Sequence, residues 1–226
     1  MASPQRVVPG VERATLSNSP QVPKYKKGQL VYDTRQGHLP RCLYLVADGK
    51  VRVSRFASGG RCTVIDIYTP SQFFGESLLV SLPFSSEQAI ALENTRLISW
   101  TELELDQIVS RQPQVASGLI RAMAERIVSL SDRIESLCTE NTERRIAKAL
   151  LRFANRMGKP ERDGSTRMLP LTHEFLAQYV GTSREMVTLY MNHLRRGDYI
   201  SYSRQGTTLK RDAVSEWLLG NKPKKI

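Results

Sequence analysis

The chain has only three cysteines in 226 residues, Cys42, Cys62 and Cys138, too few and too widely spaced for a disulfide scaffold or a zinc site. They read as ordinary half-buried thiols, and a Cys42–Cys62 redox pair would require the two to lie on neighbouring strands. Histidine is equally scarce: His38, His173 and His193 are the full set, and no Cys or His falls between Thr63 and Leu137. No P-loop, no G-x-S-x-G element and no spaced His/Cys group is present, so neither metal-assisted nor nucleophilic catalysis is indicated and an enzyme is not expected. No apolar run approaches the roughly 18 residues of a membrane span. Residues 1–20 lack the apolar core of a signal peptide, so 1–23 reads as a flexible N-terminal arm and the cytoplasm is the expected location.

What is present is positive charge, unevenly spread. The net charge is +11, of which +8 falls in residues 139–226 and +3 in residues 1–138. A basic C-terminal part suits phosphate contacts, although a merely soluble basic surface would look the same. The terminal Lys222, Lys224 and Lys225 read as a solvated end.

Residues 171–201 carry two helical patterns that meet at Gly181. Phe175, Leu176, Tyr179 and Val180 form an apolar face, with Thr172 placed to cap its start and Gly181 to take the left-handed turn at its end. Thr182-Ser183-Arg184-Glu185 then restarts a helix with the T-x-x-E spacing of a capping box. Val187, Tyr190, Met191 and Leu194 face inward, which leaves Arg184, Glu185, Thr188 and Leu189 outward near the N-terminal half. Arg forms bidentate bonds with guanine and Glu accepts from cytosine, so this end is suited to a major groove. Glu185 fits two roles, base reader and helix cap, and any α-hairpin with a basic surface would share the periodicity. Gly197 ends the helix, and 199–209 alternates around Arg204-Gln205-Gly206 as a small hairpin or wing.

From Tyr25 to Trp100 the pattern is short β runs punctuated by Lys27-Gly28, Asp48-Gly49 and Gly59-Gly60, as in an antiparallel barrel or jelly roll. After Pro113 a long helix follows. Ile120, Ile127 and Ile134 alternate with Met123, Leu130 and Leu137 as an a/d stripe, the pattern of a two-stranded parallel coiled coil. A helix buried against its own barrel is the alternative. Cys138-Thr139-Glu140-Asn141 lead into the next helix, 141–157, which buries Ile146, Ala149, Leu150 and Phe153.

The run Val180-Gly181-Thr182-Ser183-Arg184-Glu185 with Val187, then Leu194 and Tyr199-Ile200-Ser201, closely resembles the winged helix-turn-helix of the cyclic-AMP receptor/fumarate-nitrate regulator (Crp/Fnr) family of bacterial transcription regulators. Leu43-Tyr44-Leu45-Val46, Gly49-Lys50-Val51 and Phe74-Gly75-Glu76 are similar to its cyclic-nucleotide-binding domain, so the resemblance runs from about 24 to 211. It implies an α+β chain. Residues 1–23 would be the arm, 24–112 an antiparallel β jelly-roll sensor, 113–138 a dimerisation helix through Ile120, Met123, Ile127, Leu130, Ile134 and Leu137, and 139–226 a winged helix-turn-helix. It implies a homodimer that binds a palindromic operator in double-stranded DNA through a recognition helix at about 182–195. Thr182, Ser183, Arg184, Glu185, Thr188 and Leu189 would lie at the DNA, with Arg184 and Glu185 as readers. The member after which the family is named has a third reader, an Arg, where this chain has Leu189, so one base preference is expected to differ.

The same resemblance places an effector pocket at Phe74, Gly75, Glu76, Ser77, Ser85, Ser86, Leu130 and Ser131. Nucleotide-binding members use an Arg-Ser pair where this chain has Ser85-Ser86, and no Arg or Lys lies between Arg61 and Arg96. Cyclic AMP is therefore not expected; the family's iron–sulfur cluster is not expected without N-terminal cysteines, nor haem without ligands near the pocket. The effector stays unknown, an effector or redox signal being one reading. The other is an effector-independent or non-sequence-specific DNA binder with a vestigial pocket. The exposed loop 158–164 lies where family activators meet RNA polymerase, and a plain connector is its alternative.

Overall fold

The computed structural model describes residues 23–36, 42–80, 86–203 and 206–220. The arm at 1–22, His38, Ser85, Arg204-Gln205 and the terminal lysines lie outside them. The chain divides into two compact units at Ser131/Asp132.

In the first unit, strands β1 (Lys24–Tyr25), β2 (Leu30–Asp33), β3 (Cys42–Asp48), β4 (Val51–Phe56), β5 (Cys62–Tyr68) and β6 (Phe73–Phe74) lead to a one-turn helix α1 (Glu76–Leu79). Strands β7 (Ser86–Ala91) and β8 (Thr95–Thr101) and helices α2 (Glu102–Arg111) and α3 (Pro113–Thr139) follow. The strands form two antiparallel four-stranded sheets, ordered β1-β8-β3-β6 and β2-β7-β4-β5. This is the double-sheet roll expected from the spacing of turns.

The run Cys42 to Val46 is buried at every residue because β3 has a core on both sides. Tyr44 and Val46 face an interior shared with Tyr32, Val53, Tyr68, Phe74 and Leu97. Leu43 and Leu45 face outward to Phe73, Ile98, Trp100 and Val115, where residues of α2 and α3 pack. The rings of Tyr32, Tyr44 and Phe74 stack, with centroids 5.2 Å apart for Tyr44–Phe74 and 5.7 Å for Tyr32–Tyr44. At the edge of β2, Arg35 donates to both oxygens of Asp33, at 2.9 and 2.6 Å, and Gln88 Nε2 adds a bond at 2.9 Å. These bonds hold the Asp33 carboxyl at about 2, below the usual carboxylate range.

Cys42 pairs with Thr101 in one sheet and Cys62 with Phe56 in the other, so the strand neighbourhood a Cys42–Cys62 redox pair requires is absent. Helix α2 was not legible as a separate element from its apolar period, yet its start is marked: Thr101 accepts from Glu104 N–H and Glu104 reaches back, a full capping box.

In the second unit, α4 (Thr142–Met157) follows the end of α3 and is capped by Asn141, whose side chain accepts from Arg144 N–H. It buries Ile146, Ala149, Leu150 and Phe153, as its periodicity required. Strands β9 (Lys159–Pro160) and β10 (Thr166–Met168) come next, then α5 (His173–Val180), α6 (Arg184–Arg196), β11 (Ile200–Ser203), β12 (Gly206–Leu209) and α7 (Arg211–Leu218). The sheet order is β11-β12-β10-β9. The expected wing is therefore two of four strands, and the 158–164 segment contains one of the others rather than being pure loop.

Candidate functional site

Thr172 opens α5 by accepting from Phe175 N–H at 3.1 Å. Gly181 closes it at φ 75°, with its own N–H and that of Thr182 both donating to the Ala177 carbonyl. The next helix starts one residue later than the T-x-x-E pattern implies. Ser183, not Thr182, is the cap, accepting from Met186 N–H at 3.3 Å. Both residues offer a hydroxyl; Thr182 is taken up in the turn that follows the left-handed glycine, and Met186 at the third helical position cannot return a bond, so no capping box forms.

Along α6, Val187, Met191 and Leu194 are fully buried. Arg184 and Glu185 are exposed, and Leu189 is 59% exposed. Thr188 is half-exposed, and its hydroxyl bonds within the helix pair. It donates to the Arg184 carbonyl at 2.9 Å and sits 2.8 Å from His173 Nδ1. Since that single hydroxyl proton goes to Arg184, the imidazole donates from Nδ1. Burial pushes the His173 pKa down, and Arg184 nearby adds to the shift. The Glu185 carboxyl is held below its ordinary range by its own backbone N–H and the Ser183 hydroxyl. Its carboxylate thus favours the helix start while remaining exposed. The wing is tied to this pair: His173 meets the Tyr202 ring edge-on at 5.6 Å, and Tyr202 donates to Asn192 at 3.2 Å.

Helix α3 leaves Ile120, Ile127 and Ile134 exposed at 69%, 64% and 61%, with Leu130 and Leu137 partly so. Met123 is a correction to this stripe. It packs against the Leu43–Trp100 cluster of its own roll, so the early part of the helix spends one d position on the barrel.

In the roll, the sequence-predicted pocket residues divide. Phe74 is fully buried in the ring stack. Gly75, at φ 92°, starts α1, and a Cβ there would stand 2.8 Å from the Tyr44 ring, so no larger residue fits. Glu76 pairs with Arg126 Nη2 of α3 at 2.8 Å. Ser77 is buried and donates to Glu87 at 2.6 Å. Ser86 is a strand residue opposite Phe56. Leu130 lies at the exposed stripe, and the Ser131 hydroxyl returns to the Ile127 carbonyl of its own helix at 3.0 Å.

Sequence reasoning missed Glu87, Tyr32, Arg55 and Arg126. Glu87 Oε1 accepts from Tyr32 at 2.7 Å and its Oε2 from Arg55 Nε at 2.9 Å. The sign available was a Glu on the inward period of Ser86-Glu87-Gln88-Ala89-Ile90-Ala91. The missing cations of the 61–96 stretch are supplied from elsewhere, but each already faces a carboxylate. Among the described residues, no group of His, Cys, Asp or Glu is arranged to hold a metal ion and no helix is long and apolar enough to cross a membrane.

A β-roll sensor domain and a winged helix-turn-helix joined by a long helix define a class of DNA-binding transcription regulators. Residues 22–112 match the model of the cyclic nucleotide-binding domain, and 144–216 that of the Crp-like helix-turn-helix domain. The chain is 32% identical over 170 residues to the cyclic AMP receptor protein of Thermus thermophilus, covering 75% of this chain and 74% of that one. It is 30% identical over 175 residues to a CRP-like cAMP-activated global transcriptional regulator of Mycobacterium tuberculosis, covering 77% of each. A CRP/FNR family transcriptional regulator from Thermus thermophilus superposes with a TM-score of 0.72 at 25% identity, over 88% of this chain and 98% of that one. The chain belongs to the Crp/Fnr family, and it is a transcription regulator with a helix-turn-helix DNA-binding domain.

Proposed function

We propose that this regulator is a homodimer that reads a palindromic operator by placing the N-terminal half of α6 in the major groove of each half-site. The observation that carries this reading is the face of α6. Arg184, Glu185 and Leu189 are exposed at a capped helix start, while Val187, Met191 and Leu194 fix the opposite side in the core. Arg184 is the principal base reader, bidentate to guanine. Glu185 reads cytosine and favours the helix start, and Thr182 and Ser183 sit at the backbone. Thr188 positions Arg184 through its carbonyl rather than reading a base. Half-sites lie about one helical turn apart, roughly 34 Å.

The dimer reading rests on the α3 stripe. Ile120, Ile127 and Ile134 are exposed large apolar side chains at heptad spacing, and burying such a side chain contributes about 1.5–3 kcal/mol each. A partner helix covers them; Leu130 and Leu137 flank the seam.

Cyclic AMP is not the effector in this reading, and no haem or iron–sulfur cluster is assigned. The regulator acts in the cytoplasm, contacts RNA polymerase when it activates, and carries no catalytic step. Selection of operator from random duplexes by the full chain, with and without cyclic nucleotides, oxidant and reductant, tests the whole. Recovery of a palindrome supports it; equal affinity for all duplexes with a steep salt dependence overturns sequence-specific readout.

A further inference from the structure

Two carboxylates of the β-roll, the buried Glu87 and the partly buried Glu76, each have a cation of their own. Glu87, whose side chain is 5% exposed, is saturated: Tyr32 and Ser77 hydroxyls donate to one oxygen, at 2.7 and 2.6 Å, and Arg55 Nε to the other at 2.9 Å. Its backbone N–H is taken by Thr34 Oγ1 at 2.7 Å. Glu76 faces Arg126, whose guanidinium lies 5.0 Å from the centre of the Tyr68 ring. Burial, with Glu87 adding, pushes the Tyr32 hydroxyl far above its ordinary range, so it stays a donor.

Two hydroxyls and a guanidinium converging on one carboxylate are also the donors that a phosphodiester oxygen would take. A cyclic nucleotide carries one such anion, and an anion removed from water needs a counter-charge. Here the Arg55 and Arg126 guanidinia already have carboxylate partners, and the stretch between Arg61 and Arg96 contains no Arg or Lys. An incoming phosphate would meet the buried Glu87 carboxylate as a like charge.

We propose that Glu87 is the specificity-determining residue of the sensor domain, a carboxylate built into the chain that stands where an anionic ligand would bind and excludes cyclic nucleotides from the roll. This rests on reading the roll as the sensor of a DNA-binding regulator. Arg55 is the counter-ion that Glu87 holds; with its side chain 43% exposed, it is open to solvent on its outer side. Removing the carboxylate therefore frees a guanidinium that an anion can reach.

The test is calorimetric titration of the full chain with cyclic AMP and with cyclic GMP up to about 1 mM. The wild type should show no saturable binding. Glu87→Ser, which vacates the carboxylate and releases Arg55, should gain saturable binding of at least one of the two, roughly tenfold or more tighter than any wild-type signal. The Glu87→Ser/Arg55→Ala double variant should lose it again. Saturable binding by the wild type overturns the proposal, and so does a cooperatively melting Glu87→Ser that gains none. If Glu87→Ser does not melt cooperatively, the near-isosteric Glu87→Gln takes its place under the same criteria. Operator binding by the wild type, measured in the same nucleotide-free buffer, separates the two questions: its absence defeats the DNA-binding reading and leaves the nucleotide result to stand alone.

Discussion

The Arg133 guanidinium lies 4.3 Å from the centre of the Tyr179 ring and donates to the Tyr179 carbonyl at 2.5 Å. One side chain near the end of α3 thus grips the last turn of α5, the first helix of the reading pair. Arg133→Ala removes a cation–π contact and a charge-assisted bond together and is expected to cost about 1–3 kcal/mol of stability in the C-terminal unit. Arg133→Lys should recover little, because an ammonium does not reproduce the planar stack. Thermal melts of the three proteins check this; an unchanged melt for Arg133→Ala removes the grip.

Arg184→Ala should weaken operator binding by about 1–3 kcal/mol and relax preference at one base position in each half-site. Affinity for random duplex should fall far less. Parallel titrations of operator and scrambled DNA distinguish loss of reading from loss of charge. Leu189→Arg, which replaces an exposed apolar side chain with a base-reading one, should shift the preferred base at a different position.

Ile127→Asp puts a charge in the middle of the exposed α3 stripe. Sedimentation velocity at micromolar protein should then report a monomer where the wild type sediments as a dimer, with the fold intact because the Ile127 side chain is exposed in its own chain. Met123→Ala should instead lower thermal stability, since Met123 packs on the roll.

The pairing of Asp33 with Arg35 gives an acid-sensitive contribution. The folded pKa is depressed from 3.8 to about 2, so the stabilisation is present above about pH 4 and is lost as the pH falls towards 2. Its ceiling is about 2 kcal/mol. Urea unfolding of wild type and Asp33→Asn should differ most above about pH 4.5, and the gap should narrow as the pH is lowered through this window.

The parts of this molecule legible in sequence are those whose causes are local. Thr172, Gly181 and the α5–α6 pair follow from caps and 3.6-residue periodicity within a dozen neighbours. Thr182 and Ser183 offer adjacent hydroxyls, and only the path of the chain decides that Ser183 caps. Met123 could not be assigned by heptad position because periodicity marks a stripe without saying what covers it. Glu87 was out of reach for a different reason: its partners lie 55, 32 and 10 residues away, on β2, β4 and α1, and only closure of the roll brings them together.

The packing of Trp100 against Phe73 has an optical consequence. The chain has two tryptophans, Trp100 nearly closed to solvent in the roll and Trp217 half-exposed on α7 beside Tyr199. Each compact unit therefore carries its own indole, one in an apolar setting with short-wavelength emission and one wetter and red-shifted. A single denaturation followed at two emission wavelengths reports the melting of the roll and of the winged domain as separate signals, with no label attached.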